Sequence, residues 1–375
     1  MKLTLFKNNF KEAVSVAERI AAKTPTLPVL SSILLSATNN TFIVSATDLE
    51  IGVRYTMLSK NEKEGRVTLP PKHLSQFLSF LEEGKITLEQ TKGGLFLNTK
   101  GNTTQLTVSE ADEFPIIPSL VGNEPFIEVE TTPFCKGLSQ VIGMAGQSQA
   151  RPEISGILFV VQGKTLKMVA TDSFRLAEKT MSFEKEQTKE QRFILPQKTA
   201  REVIAILGEK QGKTKIYLAS TQAVFDYVTQ DDPAQTHIEI VSRLIEGEYP
   251  DYQAIIPKEY QTKTVAEKAD LLTHIKASSV FAGKMSEVRL LFDPARKGVE
   301  MTAQSAEAGE NTSFLEAEVT GDKSEVSFNW RFVVDGLIQI KGQEIEVGVS
   351  SEAGPTSIKP TTEEGYQYVV MPVRS

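Results

Sequence analysis

Few residues in this chain are of types that commonly carry chemistry, and their spacing does not favour it. Histidines stand at His73, His237 and His274, far apart and outside HExxH or any other ligand spacing, so no metal centre is expected and all three read as surface polar residues. Cys135 is the single cysteine; it has no histidine nearby in sequence and opens a helix-like stretch, where a small half-buried residue fits better than a nucleophile. The run Gly208-Glu209-Lys210-Gln211-Gly212-Lys213-Thr214 looks like a phosphate loop, but it has three residues between its glycines where the loop needs four, and it follows a helical pattern instead of a strand. It reads as a solvated turn. Neither G-x-S-x-G nor a glycine-rich dinucleotide fingerprint occurs, and no cofactor is expected. What remains is carboxylate chemistry: Asp48, Asp172 and Glu307 could supply the acid and base of a hydrolase.

The elements that would have to position those carboxylates argue against that use. Ile43-Val44-Ser45-Ala46-Thr47-Asp48 and Met168-Val169-Ala170-Thr171-Asp172 end in nearly the same way, and Met301-Thr302-Ala303-Gln304-Ser305 is a weaker third copy. Their spacing divides the 375 residues into three nearly equal repeats. Asp48 and Asp172 thus hold equivalent places in different repeats and would serve different sites. Their expected role is to end a strand and turn the backbone that follows.

Each repeat has the same order of elements. An amphipathic helix comes first: Phe10, Ala13, Val14, Ala17, Ile20 and Ala21 share one face, opposite Lys11, Glu12, Ser15, Glu18 and Arg19. Its counterparts are Pro133 to Ala145 and Lys268 to Ala282. A second helix is opened by Leu69-Pro70-Pro71-Lys72 and by Leu195-Pro196-Gln197-Lys198, where a proline near the first turn loses no intrahelical hydrogen bond, and by Phe328-Asn329-Trp330-Arg331, continuing to Ile340. Alternating runs from Lys85, Leu95, Lys215 and Glu344 have the period of half-buried strands. The expected fold is α+β: three tandem repeats, each with two helices packed on an antiparallel sheet. Boundaries fall in the polar, proline-bearing stretches Pro118 to Pro125 and Pro250 to Pro257, giving repeats at 1–122, 123–255 and 256–375.

Charge narrows the function. With 41 Lys and Arg against 48 Asp and Glu the net charge is −7, so any site for nucleic acid must be local. The start, MKLTLFKNNFKEA, has no apolar core of a signal peptide, and no window reaches the 18 consecutive apolar residues of a membrane helix. With a single cysteine, a cytoplasmic protein is expected. A tandem-repeat scaffold is the other reading besides the hydrolase that these features leave open.

Five segments then bring the chain to a family: Thr26-Leu27-Pro28-Val29-Leu30, Ala46-Thr47-Asp48-Leu49-Glu50, Ala170-Thr171-Asp172-Ser173-Phe174-Arg175-Leu176-Ala177, Glu248-Tyr249-Pro250-Asp251-Tyr252 and Tyr368-Val369-Val370-Met371-Pro372-Val373-Arg374. In these, and in its threefold repeat, the chain resembles the bacterial replicative sliding clamp, the β subunit of DNA polymerase III. The resemblance implies a non-catalytic processivity factor of DNA replication: a head-to-tail homodimeric ring, helices inside and strands outside, that encircles duplex DNA without reading its sequence. It also implies that polymerase, clamp loader and repair proteins dock through short linear peptides.

Carried over, the peptide cleft comprises Ile154, Thr171, Ser173, Phe174, Arg175, Leu176, Pro250, Ile255, Pro355, Val369, Val370, Met371, Pro372, Val373 and Arg374. Phe174 stands where relatives have histidine or tyrosine, and Ala254 where some have arginine. The DNA-facing candidates, on or beside the inner helices, are Lys11, Arg19, Lys23, Lys72, Lys136, Arg151, Lys198, Arg201, Lys276, Lys284 and Arg331. Thr24-Pro25 replaces an arginine common before the Thr-Leu-Pro motif, leaving Lys23 as its substitute. Ring closure would bring Thr104 and Leu106 of one protomer against Val280 and Phe281 of its partner, a small apolar patch.

Overall fold

A computed structural model describes residues 1–23, 27–119, 122, 125–229 and 236–373, with side chains left out at 184–189. Six helices are described: α1 (Lys7–Ile20), α2 (Pro71–Phe80), α3 (Thr131–Val141), α4 (Gln197–Leu207), α5 (Lys268–Ser279) and α6 (Trp330–Gln339), two per repeat as the periodicity predicts. The first helices of repeats two and three end earlier than expected, at Val141 and Ser279; a short 3-10 turn, Ile142–Met144, follows the first, and a turn carrying Val280 follows the second. Pro71 is the first residue of α2, while Pro196 ends the strand before α4. All pairings among the described strands are antiparallel.

The chain divides into two compact units, Met1–Cys135 with Lys198–Leu244, and Lys136–Gln197 with Ile245–Ser375. In the first unit, a five-stranded sheet of the first repeat ends at the strand Asn102–Leu106. An eight-stranded sheet joins the strands Ile33–Thr38, Thr41–Thr47, Ile51–Leu58 and Gly65–Leu69 of the first repeat to four of the second. The join is the pairing of Ile51–Leu58 with His237–Arg243, in which Val53 faces Ile240 and Arg54 faces Glu239. Helix α1 buries Phe10, Ala13, Val14, Ala17 and Ile20, with Phe10 edge-on to Phe42 of the sheet at 5.6 Å. These are the positions that its sequence stripe selects.

In the second unit, a seven-stranded sheet joins the long hairpin Gly156–Thr171 and Arg175–Pro196 of the second repeat to strands of the third. Here Arg175 to Lys179 pairs with the C-terminal strand Tyr366–Val370. A four-stranded sheet, with Gly309–Glu316 at one edge, completes the unit. Helix α6 is capped by Asn329, whose side chain accepts from the Arg331 N–H, and it packs so closely that a Cβ at Gly336 would lie 2.3 Å from the Tyr368 ring. Only glycine fits there.

The structure corrects one histidine. His237 is not a simple surface residue: it is half-buried and its Nε2 contacts the buried carboxylate of Asp226 on the neighbouring strand, beside the Arg54–Glu239 ion pair. The hydrogen bond to Asp226 holds the His237 pKa above its ordinary value despite burial. A raised pKa in the folded state means stability that is fully present below the unfolded value of about 6.5 and lost as pH rises through the folded value. Thermal unfolding between pH 6 and 9 should therefore show the protein losing stability with rising pH, and His237→Gln should flatten that part of the curve.

Candidate functional site

The two Asp residues do what their repeat positions predict. Asp172 Oδ1 accepts from the N–H groups of Phe174 and Arg175, each at 3.0 Å, and Thr171 Oγ1 accepts from Ser173 N–H at 3.1 Å. This network holds Ser173 at φ +77°, a left-handed conformation that non-glycine residues adopt only when their surroundings enforce it. Asp48 and Thr47 build the same turn, with Leu49 at φ +76°. In the third repeat Ser305 Oγ accepts from Ala308 N–H at 3.0 Å. Both aspartates are committed to backbone N–H groups, the turn role their places in the repeat predict, and Glu307 lies exposed in a turn.

The Thr171 turn positions the candidate cleft. Phe174, 60% exposed, stacks on Phe332 of α6 with ring centres 6.1 Å apart, and the Arg175 guanidinium lies 4.6 Å from the Phe332 ring. Arg175 is held by Asp172 at 2.9 Å and by Asp335; burial alone would lower its pKa, and the two carboxylates more than reverse that. Met371 N–H donates to the Phe174 carbonyl at 2.8 Å, and Val373 N–H to that of Ser327 at 2.8 Å. Met371 is thereby fixed to the turn and Val373 to the strand Ser324–Asn329.

The cleft residues divide by depth. Ile154, Thr171, Leu176, Val369 and Val370 are buried, and Leu176 and Val369 share a core with Leu158, Val160, Val169, Ile194 and Tyr252. These residues are the floor that shapes the surface, not the surface itself. Ser173, Phe174, Arg175, Pro250, Ile255, Pro355, Met371, Pro372 and Val373 are exposed or half-buried, and Arg374 lies outside the described residues. Sequence reasoning missed Phe332 and Asp335, which support Phe174 and Arg175 from α6. Their i, i+3 spacing on the face opposite the buried Val333, Val334 and Leu337 is the signal that marks them.

The basic candidates separate as well. Lys11, Lys72, Lys136, Arg201, Lys276 and Arg331 are exposed on helices, with Arg331 lying over the Trp330 ring. Lys23 and Lys284 are exposed in connections. Arg19 is engaged by Glu202 at 2.7 Å and Lys198 by Asp48. Arg151 is on no helix: it leads into the 3-10 turn Pro152–Ser155, bonds Glu153 at 3.2 Å and reaches the Ser173 hydroxyl at 3.1 Å, so its geometry ties it to the Thr171 turn.

Thr104 and Leu106 occupy the edge strand Asn102–Leu106, half-buried; Val280, 70% exposed, and Phe281 follow α5, as does Met285, 69% exposed. Phe80 at the end of α2 is 87% exposed, an aromatic at a helix terminus that sequence reasoning passed over. Cys135 is buried, with its thiol pushed up to about 12 by desolvation, and so is unreactive. The Gly208 to Gly212 segment is the turn after α4, with Gly212 at φ +91°. No cluster of three or more metal-ligating side chains occurs among the described residues, and no helix in them is long and apolar enough to cross a membrane.

Tandem α+β repeats whose strands pair across the repeat boundaries define a DNA-clamp architecture. The N-terminal, central and C-terminal domain models of the DNA polymerase III beta subunit match residues 1–118, 128–251 and 253–374. The chain is 27% identical to the beta sliding clamp of Synechococcus elongatus, covering 100% of this chain and 99% of that protein. It superposes on the DNA polymerase III beta subunit of Thermotoga maritima with a TM-score of 0.90 at 25% identity, covering 100% and 99% of the two chains. The Bacillus subtilis sliding clamp gives 0.91 at 23% identity, again covering 100% and 99%. The chain belongs to the DNA polymerase III beta subunit family, and its function is that of a DNA polymerase sliding clamp.

The division of the cleft by depth has a direct consequence. Leu176→Ala should cost about 2–5 kcal/mol in urea unfolding, because it opens a cavity in the buried cluster. Phe174→Ala, at a largely exposed position, should cost no more than about 1 kcal/mol.

Proposed function

We propose that two copies of this chain close head to tail around duplex DNA and hold replication proteins there through linear peptides bound at the Phe174–Met371 cleft, without catalysis of their own. The reading rests foremost on the latch of the C-terminal segment to the Thr171 turn: an apolar, hydrogen-bonded end beside an exposed aromatic is suited to an extended peptide, which needs side-chain pockets and a fixed register. The Pseudomonas aeruginosa clamp, of the same fold (TM-score 0.91, 21% identity, 100% of both chains covered), has been solved bound to griselimycin. A ring needs no active site, since a closed loop on DNA keeps its tethered partners at high local concentration. The domain division we propose, 1–122, 123–255 and 256–375, is supported by the three family matches, although the first boundary falls where only residue 122 is described between 120 and 124.

For closure, the sheet edges Asn102–Leu106 and Gly309–Glu316 are suitable partners, flanked by Phe80 on one side of the contact and by Val280, Phe281 and Met285 on the other. Pairing them removes two free edges. Lys11, Lys72, Lys136, Arg201 and Lys276 are the foremost candidates to face the phosphates, being exposed, helical and without an ion pair or ring contact among the described residues.

The deciding experiment is retention on DNA after loading by a cognate clamp loader with ATP. The protein should stay on a nicked circle through a moderate-salt wash and run off the same DNA linearised; equal loss from both with an active loader would overturn the ring. Removal of Met371 to Ser375 should abolish peptide binding yet leave the protein a dimer in solution, like the full chain at twice 41.3 kDa. Val280→Asp combined with Met285→Asp should give the monomer mass.

A further inference from the structure

The first unit contains a second groove of about 310 Å³, walled by Leu49, Glu50, Ile116, Ile117, Gln222 and Arg243, where the first repeat meets the second. Its construction repeats that of the cleft around Phe174. Leu49 and Ser173 sit at φ +76° and +77° in identically bonded turns. Arg243 N–H donates to the Glu50 carbonyl at 2.8 Å, as Met371 N–H does to Phe174 at 2.8 Å. Glu113-Phe114-Pro115 leads to Ile116-Ile117-Pro118, and Glu248-Tyr249-Pro250 leads to Ile255-Ile256-Pro257. In each pair the second isoleucine packs inward, Ile117 against Tyr217, Val224 and Val241, and Ile256 against the Tyr252 core.

The linker over this groove is anchored. Arg54 donates to the carbonyls of Ile117 at 2.6 Å and Pro118 at 3.2 Å, and the Ile117 side chain lies against Gly52. Ile116 is therefore held out in water, 94% exposed, beside Leu49, 44% exposed. Large apolar side chains fixed in the open at a groove mark a binding surface. Charge then selects the occupant. Arg243 replaces the methionine of the other cleft, is exposed, and makes no side-chain hydrogen bond or ion pair among the described residues, whereas Asp48 is already paired with Lys198. Glu50 lines the same groove and makes no ion pair with Arg243 among the described residues, which leaves the guanidinium open to an incoming carboxylate.

We propose that this groove is a second peptide-docking site, taking an extended segment of a partner protein with two apolar side chains, for Leu49 and Ile116, and an adjacent acidic one for Arg243. The proposal rests on the reading of the Phe174–Met371 cleft as a peptide site, whose construction it shares. It would let one protomer hold two segments of a partner at once and multiply weak affinities.

The test is selection of a displayed pool of random octapeptides on the full-length protein, followed by fluorescence polarisation with single peptides. Four targets are compared: the unaltered protein, Ile116→Asp alone, Arg243→Glu alone, and Phe174→Ala with Met371→Ala. Both groove positions are exposed, and equal melting temperatures check that the variants fold. Expected is a class of acidic–apolar peptides that survives the Phe174/Met371 change, weakens at least about tenfold on Ile116→Asp, and on Arg243→Glu prefers its lysine-for-aspartate version. If every enriched peptide depends on Phe174 and Met371 and none on Ile116 or Arg243, this inference is overturned while the first cleft stands. If no peptide is enriched, both fall.

Discussion

Pairing of strands across repeat boundaries is the constraint on which the rest depends. A repeat standing alone would expose the hydrogen-bonding edge of Ile51–Leu58, or of Arg175 to Lys179, along a row of N–H and C=O groups. In the chain each edge is covered by a strand of the next repeat, in register and with buried side chains on the core face. The turn that begins each of these strands must put a non-glycine residue at positive φ, which costs on the order of 1–3 kcal/mol. The Asp and Thr side chains offset that cost by accepting the N–H groups the turn leaves unpaired. The Thr-Asp pair that marks the repeat in sequence is thus the device that lets neighbouring repeats share a sheet.

The same boundaries engage part of the basic charge. Arg19 and Lys210 pair with Glu202 and Glu12, and Lys198 with Asp48, joining elements of the first and second repeats within one unit. Exposed pairs of this kind contribute at most about 1 kcal/mol each, and salt screens them. They are better understood as orienting charge than as holding the fold.

How much of this was legible in the sequence depends on the range of the interaction. The α1 stripe, the proline at the start of α2 and the Thr-Asp turns are local, and residue order alone determines them. The registry of His237 against Asp226 is not local, because it requires knowing which strands lie side by side. Phe332 and Asp335 are remote from Phe174 and Arg175 in sequence, and only the pairing of Arg175 with Val370 brings α6 beneath them. Depth was likewise invisible: Leu176 and Phe174 are both apolar members of one motif, yet the first lies on the strand Arg175–Pro196 and enters the core, while the second belongs to the turn before it and stays outside.

The division between backbone and side chain at the two boundaries explains how one construction can take on different chemistry. Turn, latch and linker are fixed by main-chain hydrogen bonds and by inward-facing residues: Thr47, Asp48 and Ile117 at one, Thr171, Asp172 and Ile256 at the other. Changing those residues would loosen the turn or the packing behind the paired strands. The outward positions carry no such duty, and they are where the boundaries differ, Glu50 and Arg243 in place of Phe174 and Met371. A surface built this way can change its outward side chains without altering its shape, because those side chains are not the ones that hold the repeats together.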